Sequence, residues 1–348
     1  MAPKMQPKTN PGRFFEDYTV GQTLTHAVPR TVSGGERALY HALYPARHAL
    51  HSSDEFARSC GLPASPIDDW AAFHLVFGKT VPDVSLNAVA NLGYGEGRWL
   101  RPVWPGDTLR SVSQVIGLKQ NSNGKTGVVW VRTRGMNQHD QAVMEYCRWV
   151  MVRKSNLDAP APVTVVPDLK PTLSVTDLAI PEGLDFTGYD FALAGEPHRW
   201  ADYALGETID HVDGVTVEEA EHMLATRLWQ NTAKVHFDAT NRDDGKRLIY
   251  GGHVISMARA LSFNGLANAQ MVVGLNAGAH ANPFFAGDTI RAWSEVLDKA
   301  DTVAPGVGAI RLRLVATKGG DPFRLKDEAG KYLPEVLLDL DYWALMPK

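Results

Sequence analysis

The chain has 348 residues, room for two ordinary domains, and a 44% hydrophobic content that can fill real cores. A charged fraction of 21% and a net charge of -4 exclude the basic balance of a general nucleic-acid or anionic-membrane binder. The two cysteines, Cys60 and Cys147, stand far apart with no metal-type spacing, which argues against a disulfide scaffold and against a zinc site.

In chain order, Met1 to Gly12 carries lysines and prolines but no apolar stretch, so it is not read as a signal peptide. No run of about 18 apolar residues follows, so no membrane-spanning helix is expected and the protein reads as soluble and cytoplasmic. A short strand is predicted at Gln22 to His26 after a glycine turn. Trp70 to Val76 reads as an apolar helix. Gly127 to Arg132 and Tyr146 to Val152 read as strands. The prolines at 160, 162, 167, 171 and 181 mark a semi-extended linker over 155–189 that crosses the surface.

The same succession then returns. Asp17-Tyr18-Thr19-Val20-Gly21-Gln22-Thr23-Leu24-Thr25-His26 reappears as Asp202-Tyr203-Ala204-Leu205-Gly206-Glu207-Thr208-Ile209-Asp210-His211, an offset of 185. That offset also maps Glu36 onto Glu221 and His51 onto His236. Further on, Gly106-Asp107-Thr108-Leu109-Arg110 maps onto Gly287-Asp288-Thr289-Ile290-Arg291, and Arg148-Trp149 answers Tyr342-Trp343. Register held at so many points indicates tandem copies of one fold: 1–154, the linker 155–189, and 190–348. In the second copy Thr216 and Glu219 have capping-box spacing before a helix whose buried face would be Val217, Ala220, Met223 and Leu224. His253 to Leu261 reads as its apolar helix, and Ile310 to Val315 and Leu337 to Leu345 as strands. One long buried helix wrapped by an antiparallel sheet, twice over, fits this order: an α+β class.

These elements, with an Asn/His pair, a Gly-Gly turn into a helix and a Pro-x-x-x-Gly-Asp-Thr strand, resemble the MaoC-like (R)-specific enoyl-CoA hydratases. The resemblance implies a double hot-dog fold. The run from Phe77 to Tyr94 and the run from Asn121 to Arg132 are similar to the mesaconyl-CoA hydratase branch of that family. The implied activity is reversible hydration of mesaconyl-CoA to β-methylmalyl-CoA, a hydro-lyase reaction. No metal and no cofactor is implied, because CoA arrives as part of the substrate. A small-molecule CoA thioester would be the partner, with neither nucleic acid nor membrane; oligomeric state stays open, a homodimer being common among such relatives.

The family motif places an Asp five residues before a His. The matching residues are Asn231 and His236 in the second copy, Ala46 and His51 in the first. The family also needs a glycine amide at a helix N-terminus to polarise the thioester carbonyl. The second copy offers Gly251-Gly252 before His253; the first has Asp68-Asp69, whose carboxylates would cap the helix and repel an oxyanion. The catalytic set is therefore His236, Asn231 and Gly252 in the second copy, with Gly251 and His253 near the substrate. Asparagine can orient a water but cannot take its proton, which leaves His236 as the base. The first copy would shape the pocket. Arg98 and Arg101, where the second copy has Ala279 and Asn282, are candidates for the substrate carboxylate; a solvated strand end or contact with CoA phosphates are the alternatives.

Gly78-Lys79-Thr80 ends like a phosphate loop, but Phe73 stands where its first glycine belongs. His41, His48 and His51 lack partners at ligand spacing and read as packing or surface residues. Other enoyl-CoA hydratases, a hot-dog thioesterase and a non-catalytic scaffold remain as alternatives; His253 to Leu261 lacks the acidic residue a thioesterase would use.

Overall fold

Alternation of buried and exposed side chains shapes most of this backbone, because successive strand residues point to opposite faces. Runs rich in Val, Ile and aromatic residues supply it, as in the segments that follow Gly106 and Gly287. Both glycines sit at positive φ, +104° and +92°, where a turn leads the chain into a long strand. A computed structural model describes residues 8–348, so residues 1–7 of the Met1–Gly12 segment lie outside the described residues.

The first copy comprises β1 (Thr23–Thr31), α1 (Gly34–Leu43), α2 (Ala49–Ser52), α3 (Asp54–Ser59), α4 (Asp69–Thr80), a π-turn (Val81–Ser85), β2 (Ala88–Trp99), β3 (Thr108–Gln120), β4 (Thr126–Met136) and β5 (Ala142–Arg153). A short α5 (Phe191–Ala194) opens the second copy. That copy comprises β6 (Thr208–Thr216), α6 (Glu219–Leu228), α7 (Lys234–Phe237), α8 (Gly251–Leu261), α9 (Phe263–Leu266), β7 (Met271–His280), β8 (Thr289–Asp301), β9 (Val307–Thr317) and β10 (Val336–Pro347).

All strands join one ten-stranded antiparallel sheet in the order β1-β3-β4-β5-β2-β7-β10-β9-β8-β6. Each half reads the same way outward from the β2–β7 junction, where Tyr94 pairs with Gly278 and Gly97 with Leu275. Helices α4 and α8 are buried against the sheet, one per half, which is the double hot-dog arrangement. One apolar cluster runs through both halves, from Phe73, Phe77 and Tyr146 to Tyr250, Ile255 and Leu340. Where the helices meet, His74 Nε2 and Ser256 Oγ lie 2.7 Å apart and the Tyr40 hydroxyl donates to Ser256 at 3.2 Å. Among the described residues no helix is long and apolar enough to cross a membrane.

Several local expectations change. The opening strands run to Thr31 and Thr216, beyond the short stretches predicted. Thr216 thus ends a strand, and Glu218 takes the N-cap position of α6, its N–H donating to Glu221 at 3.2 Å. Val217 and Met223 are buried as expected; the rest of the buried face of α6 is His222, Ala225, Thr226 and Leu228, whereas Ala220 and Leu224 are exposed. Docking of α6 against its neighbours, which the local pattern does not contain, selects that face. The segment 155–189 carries one isolated bridge, Leu118 to Val165, and a short 3-10 turn. Its second half does not simply cross the surface: Leu173, Leu178, Leu184 and Phe186 are buried with Phe56, Met271 and Trp343.

One contact between the copies positions the loop described next. A Cβ on Gly78 of α4 would lie 1.7 Å from the carbonyl oxygen of Trp229, the residue that ends α6. The Arg30 guanidinium donates to the neighbouring Leu228 carbonyl. Only glycine lets these backbones approach so closely. Gly78→Ala should therefore cost about 1–3 kcal/mol in denaturant unfolding, the usual range for overpacking, because backbone must move. Unchanged stability in that melt would contradict the contact.

Candidate active site

The loop after α6 makes a sharp turn before it carries any polar group inward. Gln230 adopts φ +56°, and the Asn231 N–H closes the turn on the Thr226 carbonyl at 3.0 Å. Asn231 is buried, and its Oδ1 accepts the Ala233 N–H at 3.2 Å. That bond orients the amide: the oxygen faces the backbone donor, and Nδ2 is left for the cavity that Asn231 lines.

His236 rides on the single turn of α7. Its Nδ1 lies 2.7 Å from the Leu248 carbonyl oxygen. A carbonyl only accepts, so Nδ1 carries the proton and Nε2 is a bare acceptor. Burial lowers the His236 pKa to about 4, against the upward pull of the Leu248 carbonyl. The ring is neutral throughout the physiological range.

Helix α8 begins beside it. Tyr250 occupies the N-cap position and supplies no side-chain cap. The first amides of a helix have no intrahelical acceptor, so the Gly251 and Gly252 N–H groups and the positive end of the helix remain for another partner. A Cβ on Gly251 would meet the His280 ring at 2.5 Å. The close packing of that imidazole on the helix start thus requires glycine there.

These groups border a cavity of about 360 Å³ built by both copies. The first copy contributes the segment from Ser85 to Asn91 with Phe77, Tyr94, Arg148 and Arg153; the second contributes Asn231, His236, Tyr250, Gly251 and His280. The lining includes the cations Arg148, Arg153 and Lys234 and no Asp or Glu. Burial also lowers the His280 pKa to about 4, with His236 nearby adding to the effect. The wall is therefore cationic at Arg148, Arg153 and Lys234 and neutral at both imidazoles.

The equivalent place in the first copy is closed. The Asp68 carboxylate caps α4 by accepting the Trp70 N–H at 2.9 Å. Asp69 accepts the Val272 N–H at 2.7 Å and lies 3.3 Å from His51 Nε2. Burial by itself would lower the His51 pKa, but Asp69 overrides it and raises it to about 8. Gln270 accepts the Leu50 N–H in the same region.

Of the residues expected at the site, Asn231, His236 and Gly251 line the cavity. Gly252 is not among the lining residues; a Cβ on it would meet the Tyr250 and His74 rings at 2.4 and 2.6 Å, while its N–H belongs to the uncapped first turn. His253 does not line the cavity either. It is buried, with Nδ1 3.0 Å from the Tyr44 hydroxyl and Nε2 3.2 Å from Glu221. One helical residue past Gly252 the side chain already points into the protein. Arg98 and Arg101 also lie outside the lining. Arg98 pairs with Glu145 at 3.2 Å, and Arg101 donates to the Ala142 carbonyl at 2.9 Å. Strand alternation explains Arg98: its neighbour Trp99 packs on Trp70 of α4, so Arg98 takes the opposite face.

His280, Tyr94, Asn91 and Arg148 were not expected. A signal for two of them existed in the repeat. His280 stands where the first copy has Trp99, and Arg148 where the second has Tyr342. A polar group facing an aromatic at an equivalent position marks the place where the copies diverge in use.

Gly251→Ala tests the helix start. The added methyl must displace His280 or the first turn of α8, and a shift of about 1 Å at a reacting centre can cost 10²-fold in rate. The expected result is a loss of that order in kcat/KM for whichever enoyl thioester the protein turns over; wild-type kinetics would show that the α8 terminus does not face the reaction.

Comparison with known proteins accords with this geometry. The family model for mesaconyl-CoA hydratase matches residues 5–322. A mesaconyl-CoA hydratase from Cereibacter sphaeroides is 77% identical over 342 residues, covering 98% of this chain and 100% of that one. A β-methylmalyl-CoA dehydratase from Chloroflexus aurantiacus is 57% identical, covering 99% of each chain. A crystal structure of a MaoC domain dehydratase from Chloroflexus aurantiacus superposes with a TM-score of 0.96 at 56% identity and 99% coverage of both chains. A Mycobacterium tuberculosis protein with a double hot-dog fold, 24% identical, shares the fold with a TM-score of 0.72 over 96% of this chain and 98% of that one. The chain belongs to the mesaconyl-CoA hydratase family.

Proposed function

We propose that this protein catalyses the reversible addition of water to mesaconyl-CoA, giving β-methylmalyl-CoA, in the cavity between its two copies. The observation that carries this reading is one juxtaposition: a neutral imidazole with a bare Nε2 at His236 beside an uncapped helix start at Gly251.

The chemistry follows from that arrangement. In an enoyl thioester the carbonyl draws charge from the alkene and makes the β-carbon electrophilic. The Asn231 Nδ2 holds a water by donating to its oxygen, and the water donates to His236 Nε2. His236 takes that proton as the oxygen attacks the β-carbon. The electron pair moves to the thioester oxygen, where the α8 N-terminus, with the Gly251 amide at the wall, stabilises it. The imidazolium then returns the proton to the α-carbon. One hydroxyl and one proton have been added, and His236 is regenerated. A base with its pKa lowered this far is weak, but its conjugate acid donates readily, which suits a group that must do both. Holding water and alkene together removes part of the entropic barrier, worth about 7–11 kcal/mol in good cases.

The reaction needs no group beyond the CoA carried by the substrate. The two buried, unpaired cysteines accord with a reducing, cytoplasmic setting. A thioesterase reading finds no support at the wall, since no Asp or Glu lines it.

Two measurements test the mechanism. His236→Ala should lower kcat by at least about 10²-fold, the contribution of a positioned general base, when loss of the conjugated thioester absorbance is followed. If the variant keeps the wild-type rate, His236 is not the base. The pH profile should be flat from neutrality down to about pH 5.5 and fall below it, because protonation near a pKa of about 4 removes the acceptor. An acid limb centred near the ordinary histidine value of about 6.5 would contradict the desolvated neutral imidazole.

A further inference from the structure

Arg148 is fully buried, lines the cavity, and has no acidic partner within ion-pair distance among the described residues. Its Nη2 donates to Thr80 Oγ1 at 2.7 Å, and both terminal nitrogens lie 3.5 Å from Ser85 Oγ. Nε has no partner, and the guanidinium stands 4.2 Å above the Phe77 ring. A guanidinium has five N–H donors and is always charged, so this one is undersatisfied in both hydrogen bonds and charge. Buried cations are normally paired. The surroundings have the same deficit. The side-chain amide of Asn91 lines the same cavity with neither its nitrogen nor its oxygen bonded, and His280 Nδ1 is likewise unpartnered. Asn91 stands opposite Val150, two residues along β5 from Arg148 and on the same face. Arg148 pairs in register with Tyr94 of the adjacent β2, whose hydroxyl reaches across the junction to lie 3.2 Å from the His280 ring that packs on Gly251. The arginine thus lines the same cavity as His236 and Gly251, linked to the helix start through Tyr94 and His280.

We infer that Arg148 receives the free carboxylate of the acyl group and so selects dicarboxylic enoyl-CoA thioesters over plain ones. The inference rests on the hydratase reading above and names the determinant of its substrate class. A planar carboxylate matches the guanidinium fork and supplies the missing counter-charge in a desolvated place. In mesaconyl-CoA the carboxylate is attached to the β-carbon, so its capture also aligns that carbon between His236 and the water. Arg98, paired with Glu145, and Arg101, bonded to the Ala142 carbonyl, lie outside the cavity lining and are not placed for this purpose.

The test compares binding of two unreactive saturated esters, succinyl-CoA and butyryl-CoA, to wild type, Arg148→Met and Arg148→Lys. Wild type should bind succinyl-CoA at least about thirtyfold more tightly, the scale expected for a desolvated charge pair. Arg148→Met should abolish that preference, leave butyryl-CoA affinity within about threefold, and melt no lower than wild type, because it removes a buried cation that has no partner in the free protein. Equal loss for both esters, or an undiminished preference, overturns the assignment. Should Arg148→Met fail to fold, Arg148→Lys decides: it keeps the charge and loses the fork, so the preference should drop at least about fivefold, and an unaltered preference overturns the assignment. Hydration of mesaconyl-CoA by wild type is measured alongside. Failure there strikes the hydratase reading, whereas the binding comparison judges Arg148 independently.

Discussion

Two helix N-termini lie buried beneath one sheet, and each begins with amides that the helix itself cannot satisfy. What occupies those amides decides what each half of the molecule can do. In the first copy the Asp68 carboxylate fills the place, and Asp69 ties the turn to the Val272 amide and to His51. That end is closed. In the second copy Tyr250 provides no cap and two glycines follow, so the positive end is left for a developing negative charge. The same fold therefore yields a carboxylate-capped helix end in one half and an uncapped one beside the cavity in the other.

The capped half is not idle. Helix α4 approaches the end of α6 at Gly78, and Arg30 reaches across to the Leu228 carbonyl. Those contacts come from the first copy, yet they hold the turn from which Asn231 and His236 project. The Ser85 to Asn91 segment, Tyr94 and Arg148 then complete the opposite wall. A single copy would lack both the support behind the catalytic loop and half of the cavity lining. Tandem duplication allowed the two halves to diverge while sharing one core.

The cavity electrostatics are arranged by burial. His236 and His280 are kept neutral by desolvation, which prevents two cations from standing beside the helix start. Arg148 cannot shed its charge in this way and is held by one short hydrogen bond, an aromatic face and no acid. Such an arrangement does little for the stability of the free protein. It is understandable as preparation for an anionic ligand, with the orphaned Asn91 amide beside it.

The amino-acid sequence by itself determined the duplication, the class of its most regular elements and the unequal residues of the two halves. Offsets that keep Asp17 on Asp202 and His51 on His236 are properties of the chain, and so is the exchange of Asp68-Asp69 for Gly251-Gly252. Alternation and apolar runs sufficed for α4, α8 and the long strands, because those patterns repeat locally. Which side chains converge on the cavity was a matter of tertiary structure. Arg98 and Arg148 are both strand arginines, and only the pairing of β2 with β5 and β7 puts one against Glu145 and the other at the wall. His253 adjoins the correct turn, yet helical rotation directs its side chain behind it. His280 enters because β7 crosses the start of α8, a contact between segments far apart along the chain. Local pattern encodes period and polarity; the face a residue presents is decided by what the sheet and helices pack against.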